Sequence, residues 1–121
     1  MNKNDLLYAY LAGIVDGEGT LRIVKSCETK GKNRHNPTYN AGIYVVNTDK
    51  AIIKLLRDTF TPNCKIWIEN RTINNPNHRI VYKWGTWGKN KVLFILTKLY
   101  PYLRIKKRQA KLLISFCDNF L

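Results

Sequence analysis

Two carboxylates stand two residues apart in the run Val15-Asp16-Gly17-Glu18-Gly19. Carboxylate oxygens are hard donors of the kind a hard divalent cation such as Mg²⁺ takes. Acids flanked by glycine also describe an ordinary solvated helix end, where glycine is favoured. The stretch before them, Tyr8-Ala9-Tyr10-Leu11-Ala12-Gly13-Ile14, is small and apolar and reads as a helix. The C-terminal end of a helix carries partial negative charge and disfavours acids. The chain nevertheless spends two of its eight acids there, against 21 Lys and Arg and a formal net charge of +13.

That charge narrows the partners. Between Glu69 and Asp118 no acid occurs, while eleven Lys or Arg residues do. A polyanion is the natural complement, and nucleic acid is the commonest. A merely solubilising basic surface is the other reading. The 121 residues, 45% of them apolar, fit one globular domain over 1–121. No run is long and apolar enough to span a membrane, and the N-terminus has neither a signal-peptide core nor a transit pattern, so an intracellular setting is expected. Cys27, Cys64 and Cys117 form no CxxC pair, and His35 and His78 add no zinc spacing, which points to reduced thiols. Frequent Lys, Asn and Ile hint at AT-rich coding in an organelle (mitochondrion or chloroplast), a phage or another mobile element.

The elements that must position the acids follow from periodicity. A first helix starts at a cap on Asn4 or Asp5 and runs to about Val15. Residues 20–27 and 39–46 alternate as strands around the polar loop 28–38. Asn47, Thr48 or Asp49 caps a second helix carrying Ile52, Leu55, Leu56 and Phe60 at helical spacing. Strands at 64–71 and 79–84 flank a turn rich in Asn and Pro. A third helix over 89–99 stops before Pro101, and a last one from about Lys106 carries Leu112, Leu113, Phe116 and Phe120. Two helix–hairpin units predict an α+β fold with a four-stranded antiparallel sheet backed by helices.

Strand alternation sorts side chains onto two faces. Leu21, Ile23, Ala41, Ile43, Val45, Cys64, Ile66, Ile68, Ile80, Tyr82 and Trp84 fall on the core face. Thr20, Arg22, Val24 and Ser26 fall on the other with Asn40, Gly42, Tyr44 and Val46. So do Lys65, Trp67, Glu69 and Arg71, and Arg79, Val81 and Lys83. This second face mixes cations, amides and aromatics, as a nucleic-acid-reading surface would. A solvated polar face is the alternative. An eight-residue strand reaches about 26 Å, close to eight base pairs at about 3.4 Å each.

The run Leu11 to Gly19 resembles the LAGLIDADG motif of a family of homing endonucleases, with Glu18 in place of the motif's second Asp. The order αββαββα fits that family's fold, and "YPYLRIKKRQAKLLISF" (100–116) is similar to its C-terminal segment. The resemblance implies a site-specific double-strand DNA endonuclease that hydrolyses phosphodiesters with Mg²⁺ or another hard divalent cation. It implies a metal site at Glu18 with Gly17, and catalytic roles for Glu18, Asn47 and Lys106. Asn47 can also be read simply as a helix cap, and Lys106 as part of a solvated basic face. Lys50 is a possible stand-in for an outer-shell basic residue of the family.

Ala9, Ala12 and Gly13 make a small-residue stripe that allows close helix approach. If the stripe pairs with itself, with Asp16 at its end, the protein is a two-fold homodimer and two Glu18 tips meet. The same stripe could pack within one chain. A symmetric dimer would read a partly palindromic target of roughly twenty base pairs. Arg22, Arg71 and Arg79 suit guanine, and Asn40 suits adenine. Lys30, Lys32, Arg34, Lys107 and Arg108 suit phosphates. Thr20, Val24, Ser26, Tyr44, Lys65, Trp67 and Lys83 complete the expected DNA-binding set. Relatives on this fold also serve as non-cleaving modules, either RNA maturases bound to a host intron or DNA-binding regulators. A basic structural RNA-binding protein would not need the acidic turn.

Overall fold

A computed structural model describes residues 2–26, 38–70 and 80–119, with the backbone alone at Ser26, Asn70 and Asn119. The first helix, α1 (Lys3–Glu18), starts earlier than its sequence suggests. Asn2 caps it by accepting from the Asp5 amide at 2.8 Å, while the Asp5 carboxylate accepts from the Asn2 amide. This reciprocal box satisfies two donors that a helix start otherwise leaves open. The helix also continues beyond Val15, so that Asp16 and Glu18 both lie in its last turn.

Strand β1 (Gly19–Ser26) begins at once. Glycine is needed at this junction, because a Cβ on residue 19 would stand 2.7 Å from the Val15 carbonyl oxygen. Strand β2 (Thr38–Asn47) returns antiparallel, with Thr20 opposite Tyr44 and Arg22 opposite Gly42. Asp49 then caps α2 (Lys50–Phe60). The chain turns at Thr61, whose carbonyl accepts from Cys64 N, and enters β3 (Trp67–Asn70). The expected strand at 64–71 is therefore shorter, because its first residues are spent on this turn. Strand β4 (Ile80–Trp87) runs three residues past the expected end at Trp84. Helix α3 (Lys89–Leu99) occupies the predicted residues, a short 3₁₀ turn covers Tyr100–Tyr102, and α4 (Lys107–Asn119) ends the described chain.

The sheet order is β1-β2-β4-β3, antiparallel throughout. One face is covered by helices. Leu11 and Val15 of α1, Ile43 and Val45 of β2, Ile53 and Leu56 of α2, Trp84 of β4, and Ile95 and Leu96 of α3 share one buried cluster. Fully burying each such side chain contributes about 1.5–3 kcal/mol. Tyr8 stacks on Phe60 and Phe60 lies tilted against Trp84, each pair with centroids 6.1 Å apart, and the Trp84 indole N–H donates to Thr61 Oγ1 at 2.8 Å. Ile23, Ile68 and Ile80, expected inside, are exposed. Ile23 and Ile68 belong to the two edge strands, β1 and β3, and Ile80 is the first residue of β4. Val81, expected outside, is buried. Among the described residues no helix is long and apolar enough to cross a membrane.

Candidate active site and nucleic-acid interface

The two acids in the last turn of α1 are used differently. Asp16 is buried, and its carboxylate accepts from the backbone amides of Arg104 at 2.7 Å and Lys106 at 2.9 Å. The Lys106 ammonium donates back to the Asp16 carbonyl oxygen at 2.7 Å. Lys106 also accepts the first α4 bond, from Ala110 N at 2.8 Å. The carbonyl end of α1 thus docks on the amide-rich entry to α4. Helix ends of opposite polarity attract, and each supplies partners the other lacks. This relieves the burden of an acid at the end of α1.

Glu18 remains exposed at the tip. Its carboxylate accepts from the side-chain amide of Asn47, the last residue of β2. The orientation of that amide is fixed locally. Asn47 Oδ1 accepts from Asp49 N at 2.8 Å, and Asp49 Oδ1 accepts from Ala51 N at 2.9 Å as the α2 cap. With its oxygen held by backbone, Asn47 can present only its NH₂ group to Glu18. Asn47 is therefore not the helix cap that one reading of the sequence allowed. Lys50, in the first turn of α2, lies over the Tyr82 ring at 5.9 Å.

The structure thus brings Glu18 to Asn47 and Asp16 to Lys106, both pairs at one helix end. Glu18 and the Gly17 carbonyl offer hard oxygen donors of the kind Mg²⁺ takes. Among the described residues no three Asp, Glu, His or Cys side chains converge on a metal position. The described residues therefore fit such an ion in part, through Glu18 and Gly17.

Two members of the expected pairing stripe are corrected. Ala12 is fully buried in the chain's own core, and Asp16 is buried against the start of α4. Ala9 is half-buried. Gly13 stands open, as does Gly17, with nothing among the described residues within 4 Å of a Cβ at either. Leu6 and Tyr10 are exposed as well. The outer face of α1 is thus Leu6, Tyr10, Gly13 and Gly17, which recur at helical spacing.

The uncovered face of the sheet carries Thr20, Arg22, Tyr44, Lys83 and Trp67, with Val24 opposite Asn40 at one end. The Lys83 ammonium lies over the Tyr44 ring at 4.4 Å. Hydrogen bonds from Arg22 and then Thr20 hold the Tyr44 phenol below its ordinary pKa. Lys65 is exposed just before β3, Lys107 lies over Tyr100 at 5.0 Å, and Arg108 is exposed on α4. Lys30, Lys32, Arg34, Arg71 and Arg79 lie outside the described residues, as does the Ser26 side chain. Trp87 was missed from the sequence. Its indole fills the space above Gly42, where a Cβ would come within 2.2 Å of the ring. The signal was present in "KWGTWG", where alternation continues past Gly85.

No protein-family profile matches this chain, and no curated protein matches it. Solved structures do. The homing endonuclease I-CvuI, crystallised with DNA targets, is similar with a TM-score of 0.73 at 22% identity, over 95% of this chain and 68% of its own. The archaeal intron-encoded homing endonuclease I-Vdi141I, complexed with DNA, gives 0.72 at 13% identity, over 98% and 70%. The LAGLIDADG homing endonuclease I-GzeII, also bound to its DNA target, gives 0.69 at 14% identity, and this chain covers 93% of itself and 35% of that protein. The chain has the fold of LAGLIDADG homing endonucleases.

Proposed function

We propose that this chain is a site-specific DNA endonuclease of the LAGLIDADG homing type, working as a symmetric pair on a partly palindromic duplex. The observation that carries this reading is the exposed Glu18 carboxylate, oriented by an Asn47 amide that the backbone N–H of Asp49 locks in place. The solved structures on this fold, several of them bound to DNA, support it.

The exposed glycine face of α1 fits close approach of a second copy, which brings a second Glu18 beside the first. Glu18 and the Gly17 carbonyl would hold Mg²⁺, and the phosphate oxygens of DNA and the second copy's tip supply further donors. When bound, that ion lowers the pKa of a coordinated water and neutralises charge on the reacting oxygens. Asn47 holds the Glu18 carboxylate in register. Lys106, anchored on the Asp16 carbonyl, keeps a positive charge near the tip, where negative charge grows on phosphorus-bound oxygens. The uncovered sheet face reads bases in the major groove, and the net charge of +13 draws the backbone.

The test is cleavage selection from a random duplex library with Mg²⁺, with and without chelator. Double-strand breaks at a recurring, partly palindromic sequence, lost on chelation, are expected. Recovery of bound but uncut duplex under both conditions would replace the endonuclease with a binding module.

A further inference from the structure

The uncovered sheet face holds one built cluster at its centre. Thr20, Tyr44 and Gly85 form one cross-strand row, and Arg22, Gly42 and Trp87 form the next. The register sets Thr20 opposite Tyr44 and Arg22 in the next row of the same face, these two β1 side chains lower the pKa of the phenol, and Lys83 of β4 lies over its ring at 4.4 Å. One phenol is therefore gripped from two neighbouring strands. Its surroundings leave it room. A Cβ on Gly85 would stand 2.8 Å from the Tyr44 Cβ, so glycine is the residue that fits opposite this tyrosine. Trp87 fills the vacancy over Gly42, directly across from Arg22.

A free arginine on a sheet samples many rotamers. One whose guanidinium is tethered to a fixed phenol presents a planar fork with far less to lose on binding. The fork matches O6 and N7 of guanine in the major groove. We propose that Tyr44 is a positioning residue that orients Arg22 to read a single G·C pair in each half-site. Lys83 serves this unit by lying over the phenol ring, Gly85 leaves room for Tyr44 opposite it, and Gly42 leaves the room that the Trp87 indole fills. The inference rests on the proposed DNA-cleaving function and assigns the base-reading element of that same surface.

The experiment profiles base preference by library selection for the unaltered chain, Tyr44→Phe, Arg22→Ala and the double variant. Both single variants should relax the same base pair of the half-site, by about tenfold. The double variant should relax it no further than Arg22→Ala. Relaxation at two different pairs would make Tyr44 a reader in its own right and overturn the inference, as would an unaltered Tyr44→Phe profile. If the unaltered chain selects no duplex sequence, the DNA reading itself falls, and the inference with it. A second measurement needs no DNA. By carbon-13 NMR of labelled tyrosine, the Tyr44 phenol of Arg22→Ala should titrate nearer the ordinary tyrosine value. An unmoved titration would show that no Arg22–Tyr44 contact exists.

Discussion

Asp16 and Lys106 hold each other by both backbone and side chain. The Asp16 carboxylate accepts from the Lys106 amide at 2.9 Å, and the Lys106 ammonium donates to the Asp16 carbonyl at 2.7 Å. Ninety positions apart in sequence, the two residues lock the end of α1 to the start of α4. The end of α1 that carries the acidic tip and the basic segment at the start of α4 are thereby joined at one corner.

The first prediction concerns that lock. Asp16→Ala leaves the Arg104 and Lys106 amides without their acceptor, and each such loss costs about 1–3 kcal/mol. Chemical denaturation should register a loss of about 3 kcal/mol. Asp16→Asn keeps one acceptor oxygen and should lose less than Asp16→Ala. Equal stability of the unaltered chain and Asp16→Ala would show that the corner is not held by this carboxylate.

Gly13 separates folding from assembly. A Cβ there meets nothing within 4 Å among the described residues, so Gly13→Leu should be accommodated by a single copy. Removing glycine from a helix interior favours that helix by roughly 0.5–1 kcal/mol. If two α1 helices pair through this face, the same leucine pushes them apart. Sedimentation should show the mass of one chain for Gly13→Leu and of two for the unaltered chain. A dimer that survives the leucine would move the contact to another surface.

How much of this was legible in the sequence depended on whether the cause was local. The end of helix α3 was readable because Pro101 forces a stop. The acidic tip was readable because small residues and glycines frame it. The partners of Asp16 were not, since nothing near residue 16 announces amides 88 and 90 positions away. Ala12 was assigned to the outer stripe because apolar and small residues surround α1, so spacing alone does not say which side faces the core. Gly85 looked like the end of a strand. It is instead a strand residue made necessary by Tyr44 opposite it. The Glu18–Asn47 contact needed both the overrun of α1 and the position of β2, and only the motif pointed toward it.

The thiols give a prediction independent of function. Cys117 is fully buried, and burial pushes its pKa up against a smaller opposing pull from Lys89. Cys64 is partly exposed. Thiolate is the reactive form, so at pH 8 iodoacetamide should modify Cys64 well before Cys117, as read by peptide mass spectrometry. The sign for stability follows. Above the unfolded thiol pKa of about 8.5 the unfolded chain releases a proton that the folded chain retains. The Cys117 contribution to stability is therefore present below that pH and declines as pH rises through it. Cys117→Ser should flatten that part of the stability profile, and an unchanged slope would remove Cys117 as its source.

Glu18 is the residue on which the catalytic reading turns. Glu18→Gln keeps an oxygen able to accept from Asn47, so the local hydrogen bond and the fold should persist. It removes the negative charge that a hard cation requires. Lewis-acid stabilisation of a phosphoryl transition state is worth several kcal/mol, so cutting should fall by at least about a hundredfold, with thermal unfolding unaltered. Duplex affinity should hold or rise, because one negative charge per chain is removed from a surface that meets phosphates. Asn47→Ala is the companion variant. It frees the Glu18 carboxylate without removing its charge, so cutting should weaken less than in Glu18→Gln. A Glu18→Gln chain that cuts at the normal rate would take the acidic tip out of the chemistry and leave a DNA-binding surface without a nuclease.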